Sequence, residues 1–266
     1  MKIVVCIKQV PDTTEVKLDP KTNTLIRDGV PSIINPDDKA GIEAALELKE
    51  RLNDGSTVTI VSMGPPQADV ALREALAMGA DEAYLLSDRA FGGSDTFATS
   101  TIIAAGLKKI GYDLVITGRQ AIDGDTAQVG PQIAEHLGIP QVSYAEEIIS
   151  LDNEKAVVKR QFEDRYHILE LPVPCLITAL SELAEPRYMS VHGIYDAYRE
   201  KEVKVLGFED LKDMFDPANI GLKGSPTNVY KSFTKQAKGA GTKYDHVSAD
   251  EAVKIIVDKL EERHII

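Results

Sequence analysis

The segment from Gly118 to Gly130, "GRQAIDGDTAQVG", carries residue types suited to holding an anion. It follows a strand-like run, "YDLVITG", and leads into a helix-like run, "PQIAEHLG". Gly118 lets the backbone leave the strand sharply or approach a ligand closely, and Arg119 places a permanent cation at the strand end. The N–H groups from about Thr126 to Gly130 face the positive end of the predicted helix, where phosphates bind. The spacing predicts a phosphate site, and it leaves open a plain turn capped by Thr126.

The polar side chains of this segment have two interpretations each. Asp123, Asp125 and Thr126 can cap the helix or accept hydrogen bonds from a ribose or a ring. Arg119 can contact a bound phosphate, or it can pair with Asp123 or Asp125. For Arg119 we favour contact with a bound ligand over pairing with either aspartate.

No pattern for a nucleophile or a metal accompanies this segment. The sequence has no GxGxxG after the first strand, no GxxxxGK[ST], no HExxH and no GxSxG. The five histidines, at 136, 167, 192, 246 and 264, lack ligand spacing and are assigned no role. Cys6 and Cys175 form no CxxC and lie in apolar runs, so we expect both to be buried packing residues. The residues therefore indicate nucleotide binding without acid–base catalysis.

Alternating strands and helices must position this segment. "KIVVCI", "TVTIVSMG", "EAYLLS" and "DLVITG" are strand-like, and helix-like runs separate them. The first helix is predicted to start with Asn35 as its cap, Pro36 in the first position and two aspartates at the positive end, and to close at Gly55. This order predicts an α/β fold with a doubly wound, mostly parallel, Rossmann-like sheet. Ligands of such sheets lie beyond the carboxyl ends of the strands, here the loops at residues 6–9, 63–66 and 118–130.

The pattern changes after residue 138. "VSYAEEIISL", "KAVVKRQFED" and "RYHILEL" predict a small antiparallel addition, and "PCLITAL" predicts a return strand. A hairpin is predicted over "VKLDPKTNTLIRDG", residues 16–29, and an extended arm over residues 221–244. The C-terminal helix has a capping box, Ser248 with Glu251, and an apolar face that needs a partner. We expect residues 1–190 to form the nucleotide-binding domain and residues 191–266 to form a partner-recognition loop, the arm and the helix.

Composition restricts the partners. Thirty Lys and Arg against 42 Asp and Glu give a net charge of −12, which argues against nonspecific binding to nucleic acid. The first residues lack the apolar stretch of a signal peptide, and no run approaches the roughly 20 apolar residues that span a bilayer. We expect a cytoplasmic protein that binds neither nucleic acid nor membrane.

The chain resembles the β subunit of electron-transfer flavoprotein. The resemblance runs in order from residue 1 to about residue 190, and the tail agrees more loosely. The segments that carry it are "CIKQVPD", "LIRDGV", "INPDD", "SMGPPQA", "REALAMGADEAYLLSD", "GRQAIDGDTAQVGPQIAEHLG" and "EPRY".

The resemblance implies a heterodimer with a flavin-carrying α subunit and a nucleotide site in this chain. Cys6 is then expected near the adenine, with Asn35 and Met63 in two further site segments. Asp95 and Thr96 are expected to frame the isoalloxazine, or else to cap their helix. The main binding loop is expected to comprise Gly118, Arg119, Gln120, Ala121, Ile122, Asp123, Gly124, Asp125, Thr126, Ala127, Gln128 and Val129.

Within the family this site holds AMP in simple electron carriers and FAD in electron-bifurcating members. "DGDTAQVGPQIAEHLG" and "DRAFGGSDTFATS" are similar to the bifurcating kind. Such a member takes hydride from NADH on its β-subunit FAD, so the chain would be part of an NADH-oxidising complex. One electron goes through the α-subunit FAD to an acyl-CoA dehydrogenase, and the other goes to ferredoxin or flavodoxin.

Two alternatives stay open: a simple carrier that binds AMP, and a stand-alone adenine-nucleotide sensor. After "EPRY" this chain has "MSVHGIYDAYREKEVKV" where simple carriers have a lysine-rich recognition run. We expect docking through residues 190–195, with the identity of the docked dehydrogenase open.

Overall fold

Short β-branched runs between amphipathic helices build one large sheet. The computed structural model describes residues 1–12, 31–227, 230 and 239–266. Its strands are β1 (Lys2–Ile7), β2 (Gln9–Pro11), β3 (Ser32–Ile34), β4 (Thr57–Met63), β5 (Glu82–Leu86), β6 (Leu114–Gly118), β7 (Gln141–Leu151), β8 (Lys155–Gln161), β9 (Tyr166–Pro172), β10 (Cys175–Ala179) and β11 (Val203–Leu206). Its helices are α1 (Pro36–Leu52), α2 (Asp69–Met78), α3 (Thr96–Ile110), α4 (Val129–Leu137), α5 (Val191–Arg199), α6 (Phe208–Leu211), α7 (Gly221–Gly224) and α8 (Ala249–Glu262).

The main sheet has nine strands in the order β11-β5-β4-β1-β6-β10-β7-β8-β9. The strands from β11 to β7 pair in parallel, whereas β7, β8 and β9 pair antiparallel. A separate antiparallel pair, β2 with β3, follows the end of β1. These pairings confirm the predicted doubly wound α/β fold with a small antiparallel addition.

Helices cover both faces of the sheet. Apolar residues of α1, α2 and α5 join one buried cluster, and those of α3 and α4 join the other. The chain leaves β1 toward β4 on one side and returns at β6 on the other. The strand order therefore reverses between β1 and β6, where open α/β sheets bind ligands.

One predicted helix boundary differs from the observed one. Helix α1 ends at Leu52, and its C-cap Asn53, which has a left-handed backbone (φ 45°), lies two residues before Gly55. Helix α4 begins at Val129, so Pro131 lies in its first turn. The capping box of Ser248 with Glu251 at α8 is confirmed.

The sheet continues beyond residue 190. Strand β11 pairs in parallel with β5, and α5 packs on α2, where a Cβ on Gly193 would lie 2.3 Å from the Ala77 carbonyl oxygen. The domain division at residue 190 remains a prediction, but elements on both sides of it share one sheet. A four-residue strand with two exposed residues gives too weak an alternation to be found by pattern.

The predicted extended arm over residues 221–244 is wrong at its start. Residues 221–224 form α7, and the Asp95 N–H donates to the Ser225 hydroxyl at 2.9 Å, which fixes this stretch beside the start of α3. Residues 228–229 and 231–238 of the arm, and the predicted hairpin at residues 16–29, lie outside the described residues. Within the described ranges, no helix has the combination of length and apolar character that crossing a bilayer requires.

Candidate functional site

The predicted loops meet where the strand order reverses. In the sheet, Cys6 of β1 lies opposite Thr117 of β6, so the chain leaves both strands at the same level. The Lys8 ammonium then pairs with the Asp123 carboxylate at 2.6 Å, which joins the end of β1 to the segment 118–130. We call residues 118–130 the nucleotide loop. Cys6 itself is buried, and burial, followed by the nearby Asp38 carboxylate, raises the pKa of its thiol to about 12, so the thiol is a neutral packing group.

Asn35 fixes the nucleotide loop rather than its own helix. It occupies the N-cap position of α1, but its side chain makes no capping hydrogen bond. Its amide instead donates to the Gln120 carbonyl oxygen at 2.9 Å and accepts from the Ile122 N–H at 3.0 Å. Because Asn35 is fully buried and both bonds go to backbone, its side chain determines the path of the first loop residues.

Two aspartates in the first turn of α1 also face this loop, and sequence reasoning missed them. The Asp38 carboxylate accepts from the Lys8 N–H at 2.7 Å and from the Gly118 N–H at 2.9 Å. The Asp37 carboxylate lies 3.3 Å from Arg119 Nε. Stabilisation of the helix N-terminus already explained both acids, so their contacts with the loop were not predicted. The sequence did contain a signal for these contacts, because two successive acids follow Asn35-Pro36 and the start of a helix does not require both.

The ion pair of Arg119 differs from the pairing predicted from the sequence, whereas its contact with a ligand stays a prediction. Its pairing partner is Asp37, not Asp123 or Asp125, and the contact lacks hydrogen-bond geometry. Burial raises the pKa of Asp37, and the Arg119 guanidinium opposes that shift. The Arg119 side chain remains 36% exposed, so its outer nitrogens can still reach an anion.

The nucleotide loop presents a row of free backbone donors. The N–H groups of Gly124 and Asp125 both bond the Ala121 carbonyl oxygen, and the Gln120 amide donates to Asp125, which closes a compact first turn. Within the described part of the chain, by contrast, no acceptor hydrogen-bonds the N–H groups of residues 126–130.

Two residues of the nucleotide loop have an unusual backbone conformation. Asp125 and Ala127 have φ values of 49° and 52°, which are uncommon outside glycine and cost on the order of 1 kcal/mol each. Gln128 then returns to the right-handed region and occupies the N-cap position of α4. A left-handed residue followed by a right-handed one, as at Ala127 and Gln128, is a backbone form whose N–H groups can bind an anion. The positive end of α4 lies at the same place, which adds to the attraction for a phosphate.

Two glycines allow the close packing beneath this loop. A Cβ on Gly118 would lie 2.1 Å from Asp38 Oδ1, so the close approach predicted for Gly118 is to a carboxylate of the chain itself. A Cβ on Gly130 would lie 2.6 Å from the Thr117 hydroxyl and 2.8 Å from Thr178 Cγ2. The start of α4 therefore rests directly on β6 and β10.

A cleft of about 690 Å³ adjoins the loop on the other side of β1. Met63 lines it at the end of β4, as do residues 64–68, residues 86–89 and residues 91–94 after β5. Lys8 lines the same cleft while it pairs with Asp123, so one side chain borders both the loop and the cleft. The volume lies within the range of about 300–1,000 Å³ that ligand pockets occupy.

Asp95 and Thr96 lie at the start of α3. The Asp95 carboxylate accepts from the Ala98 N–H at 3.0 Å, which is a cap, and from the Thr227 hydroxyl at 2.6 Å. The Thr96 hydroxyl donates to the Gln128 side-chain oxygen at 3.1 Å, which ties α3 to the nucleotide loop. Capping is thus observed for Asp95, and framing of a ring by these two residues remains a prediction.

An exposed apolar surface begins near "EPRY", residues 185–188, after the last strand of the sheet's central part. The Arg187 guanidinium pairs with the buried Glu43 carboxylate at 2.7 Å and with Glu50 at 2.6 Å, which fixes the chain against α1. Residues 188–198 then expose large apolar side chains, including Tyr188 (98% exposed) and Val191 (87% exposed). We call residues 188–198 the docking segment, because apolar exposure on this scale is typical of an interaction site.

The described residues have the chemistry of a binding site. Backbone N–H groups, one arginine and a nearby cleft can hold a phosphate-bearing ligand and a ring system. Among the described residues, no group of three His, Cys, Asp or Glu side chains has the arrangement needed for a metal ion.

Comparison with known proteins agrees with this architecture. The model of the electron transfer flavoprotein domain matches residues 22–211. The chain is 59% identical to the electron transfer flavoprotein subunit beta of Clostridium acetobutylicum over 266 residues, all of both chains. It is 56% identical to the caffeyl-CoA reductase-Etf complex subunit CarD of Acetobacterium woodii and 50% identical to the acryloyl-CoA reductase electron transfer subunit gamma of Anaerotignum propionicum, again over the full length of each chain. Because the family model matches most of the sequence and β subunits match it over its whole length, this chain belongs to the electron transfer flavoprotein family, among its β subunits.

Proposed function

We propose that this chain is the β subunit of an electron-bifurcating electron transfer flavoprotein and that it binds FAD between the nucleotide loop and the adjoining cleft. Its donor would be NADH, and its partners would be the flavin-carrying α subunit, an acyl-CoA dehydrogenase and ferredoxin or flavodoxin. The observation that carries this proposal is the row of N–H groups at residues 126–130, which have no acceptor among the described residues, beside a cleft of about 690 Å³.

The loop suits the diphosphate of a dinucleotide. Five consecutive residues offer backbone donors at the positive end of α4, and donors of this kind need no charged side chain to bind phosphate. Arg119 adds a cation at the loop entrance, partly neutralised by Asp37. These groups would hold the phosphates of FAD or the single phosphate of AMP.

The cleft favours FAD over AMP. AMP would require only the loop and the neighbouring strand ends, which leaves the region around Met63 and residues 86–94 without a role. A flavin attached to a diphosphate at residues 126–130 would occupy this cleft, which the loop borders through the Lys8–Asp123 pair. When bound there, FAD would accept a hydride from NADH, that is two electrons and a proton, and release the electrons singly to two acceptors. The chain would bind and orient it.

Two exposed apolar surfaces support the proposal that this chain binds protein partners. Helix α8 has no buried residue, and Val253 and Ile256 on its apolar face are 60% and 59% exposed. We assign this face to the α subunit, because an isolated helix with an exposed apolar face is stable only when another surface covers it. We assign the docking segment to the dehydrogenase. Two relatives are named as parts of caffeyl-CoA and acryloyl-CoA reductases, which supports an acyl-CoA dehydrogenase as that partner.

The test is a cofactor count on the heterodimer. The chain is co-expressed with its α subunit, and the nucleotides released on denaturation are separated and quantified. Two FAD per heterodimer is the expected result. One FAD with one AMP would establish a simple carrier instead, and a chain that forms no heterodimer would favour the nucleotide-sensor alternative.

A paired substitution assigns the second nucleotide to this chain. Gly118→Ala forces a Cβ to within 2.1 Å of the Asp38 carboxylate, so the loop must shift and the heterodimer should retain only the α-subunit FAD. Gly239→Ala is the matched control, since no atom of the described residues lies within 4 Å of the added Cβ. Retention of both nucleotides in Gly118→Ala would exclude the loop as the binding site.

A further inference from the structure

We infer that Asp38 is a positioning residue whose ionised carboxylate holds the start of the nucleotide loop in its binding conformation. The inference rests on the proposed function of that loop, and it concerns a residue that touches the loop rather than the nucleotide. It extends the site to a side chain whose place in the first turn of a helix suggests only a contribution to helix stability.

The contacts of Asp38 join two neighbouring strands. Its Oδ2 accepts from the Lys8 N–H, just beyond the end of β1, at 2.7 Å. Its Oδ1 accepts from the N–H of Gly118, the last residue of β6, at 2.9 Å. The side chain is almost fully buried, so water does not compete for either bond. One carboxylate therefore fixes where the chain leaves both strands.

Only an ionised carboxylate meets both contacts. It offers two acceptor oxygens and no donor, and it faces two N–H donors. Asparagine has almost the same shape, but its NH₂ group would point at one of those donors. The packing is equally specific, because the space that a Cβ of residue 118 would need is filled by Asp38 Oδ1.

The position of Gly118 propagates along the loop. Residues 119 and 120 follow it directly, and Asn35 then fixes Gln120 and Ile122 from the same end of α1. The compact turn at residues 121–125 leads from there to the free donors at 126–130. A shift at Gly118 would therefore misalign the donors and weaken phosphate binding.

Charge alone predicts the opposite effect of removing this carboxylate. A negative charge beneath a phosphate site repels the ligand, so its loss would tighten nucleotide binding on Coulombic grounds. A positioning role predicts weaker binding. The sign of the change therefore separates the two roles.

Protonation offers a second readout. Burial raises the pKa of Asp38 to about 7, and the Lys8 N–H, the nearby Asn35 amide and the Gly118 N–H oppose that shift, whereas the Asp37 carboxylate adds to it. The ionisable groups around it are Asp37 on α1, Cys6 and the Lys8 ammonium at β1, Arg119 and Asp123 in the loop, and Glu182 in the turn after β10. A protonated Asp38 presents a hydroxyl to one of its two N–H donors, so nucleotide affinity should fall as the pH drops through about 7.

The experiment compares three heterodimers stripped of nucleotide: the wild type, Asp38→Asn and Asp69→Asn. The control, Asp69→Asn, removes a first-turn carboxylate from α2, where Asp69 pairs with Arg73 away from the loop. Calorimetric titration with FAD, whose diphosphate does not titrate in this range, is repeated from pH 6 to pH 8.5. At pH 8 we expect Asp38→Asn to bind FAD about 10- to 100-fold more weakly, the effect of losing one charge-assisted hydrogen bond, with a flat pH profile. We expect Asp69→Asn to match the wild type.

Each other outcome has a defined meaning. Equal or tighter binding by Asp38→Asn, or equal losses in both variants, overturns the inference. If Asp38→Asn does not fold, the wild-type profile decides, and a flat affinity from pH 6 to pH 8.5 overturns it. A wild-type heterodimer that binds only one nucleotide, in the α subunit, refutes the proposed function instead.

Discussion

Replacing Asn35 with aspartate tests the link between α1 and the nucleotide loop. The substitution keeps the size of the side chain and the acceptor for the Ile122 N–H, but it removes the donor to the Gln120 carbonyl oxygen. Loss of that hydrogen bond costs about 1 kcal/mol, and the carbonyl left facing a buried carboxylate adds about 1–3 kcal/mol. We expect the free energy of unfolding to fall by about 3 kcal/mol at pH 8. For a chain of this size, that lowers Tm by about 6–12 °C.

The loss should disappear on acidification. An aspartic acid at this position can donate through its hydroxyl to Gln120 and accept from Ile122, so the protonated form restores both bonds. Burial raises the folded-state pKa of such a group above its unfolded value of about 3.9. The stability of the variant is therefore fully present below pH of about 3.9 and is lost as the pH rises through the folded pKa.

Thermal unfolding of the heterodimer with saturating nucleotide, at pH 5 and pH 8, measures the effect. Each variant is compared with the wild type at the same pH. Asn35→Ala is the control: it loses both bonds to a loop that water can reach, about 2 kcal/mol in all, with the same deficit at both pH values. A deficit in Asn35→Asp that does not shrink at pH 5, or no deficit at pH 8, would refute the role assigned to Asn35.

Three further predictions concern other parts of the chain. Arg187→Gln leaves the buried Glu43 carboxylate unpaired and should cost about 2–3 kcal/mol in thermal unfolding, whereas Glu50→Gln, at an exposed partner, should cost at most about 0.5 kcal/mol. Ile256→Glu should weaken the heterodimer in size-exclusion chromatography by placing a charge on the apolar face of α8, and Lys254→Glu on the same helix should not; equal elution of both variants would argue against that interface. The Cys6 thiol, whose pKa burial raises to about 12, should resist iodoacetamide at pH 8 until the protein is denatured, as mass spectrometry of the labelled peptide would reveal.

Local pattern predicted most of the architecture. The strands β1, β4, β5 and β6 and the helices between them lie within one or two residues of expectation, because buried parallel strands and amphipathic helices carry strong periodic signals. Strand β11 has no such signal, since its pairing with β5 depends on contacts distant in sequence. The start of α7 was missed for the same reason.

The sequence indicated the backbone donors of the candidate site, but it indicated only some of the side-chain contacts. Glycine spacing and the start of α4 indicated the free N–H groups of residues 126–130. The partners of Asp38 and Arg119 did not follow, because an acid in the first turn of a helix already has a sufficient local explanation. The sequence also does not reveal that the Asn35 side chain bonds the neighbouring loop and not its own helix, because the loop residues that it contacts are distant in sequence.

The docking segment is held by α1 at one end and by the main sheet at the other. Arg187, the residue directly before the segment, pairs with α1, and β11 returns the chain to the sheet a few residues after the segment ends. A tethered stretch of this kind has little conformational freedom to surrender when a partner arrives, so more of the contact energy is available for association. A redox protein docked on this segment would therefore stay at one separation from a nucleotide held by the loop, and a constant separation would give every encounter the same tunnelling path.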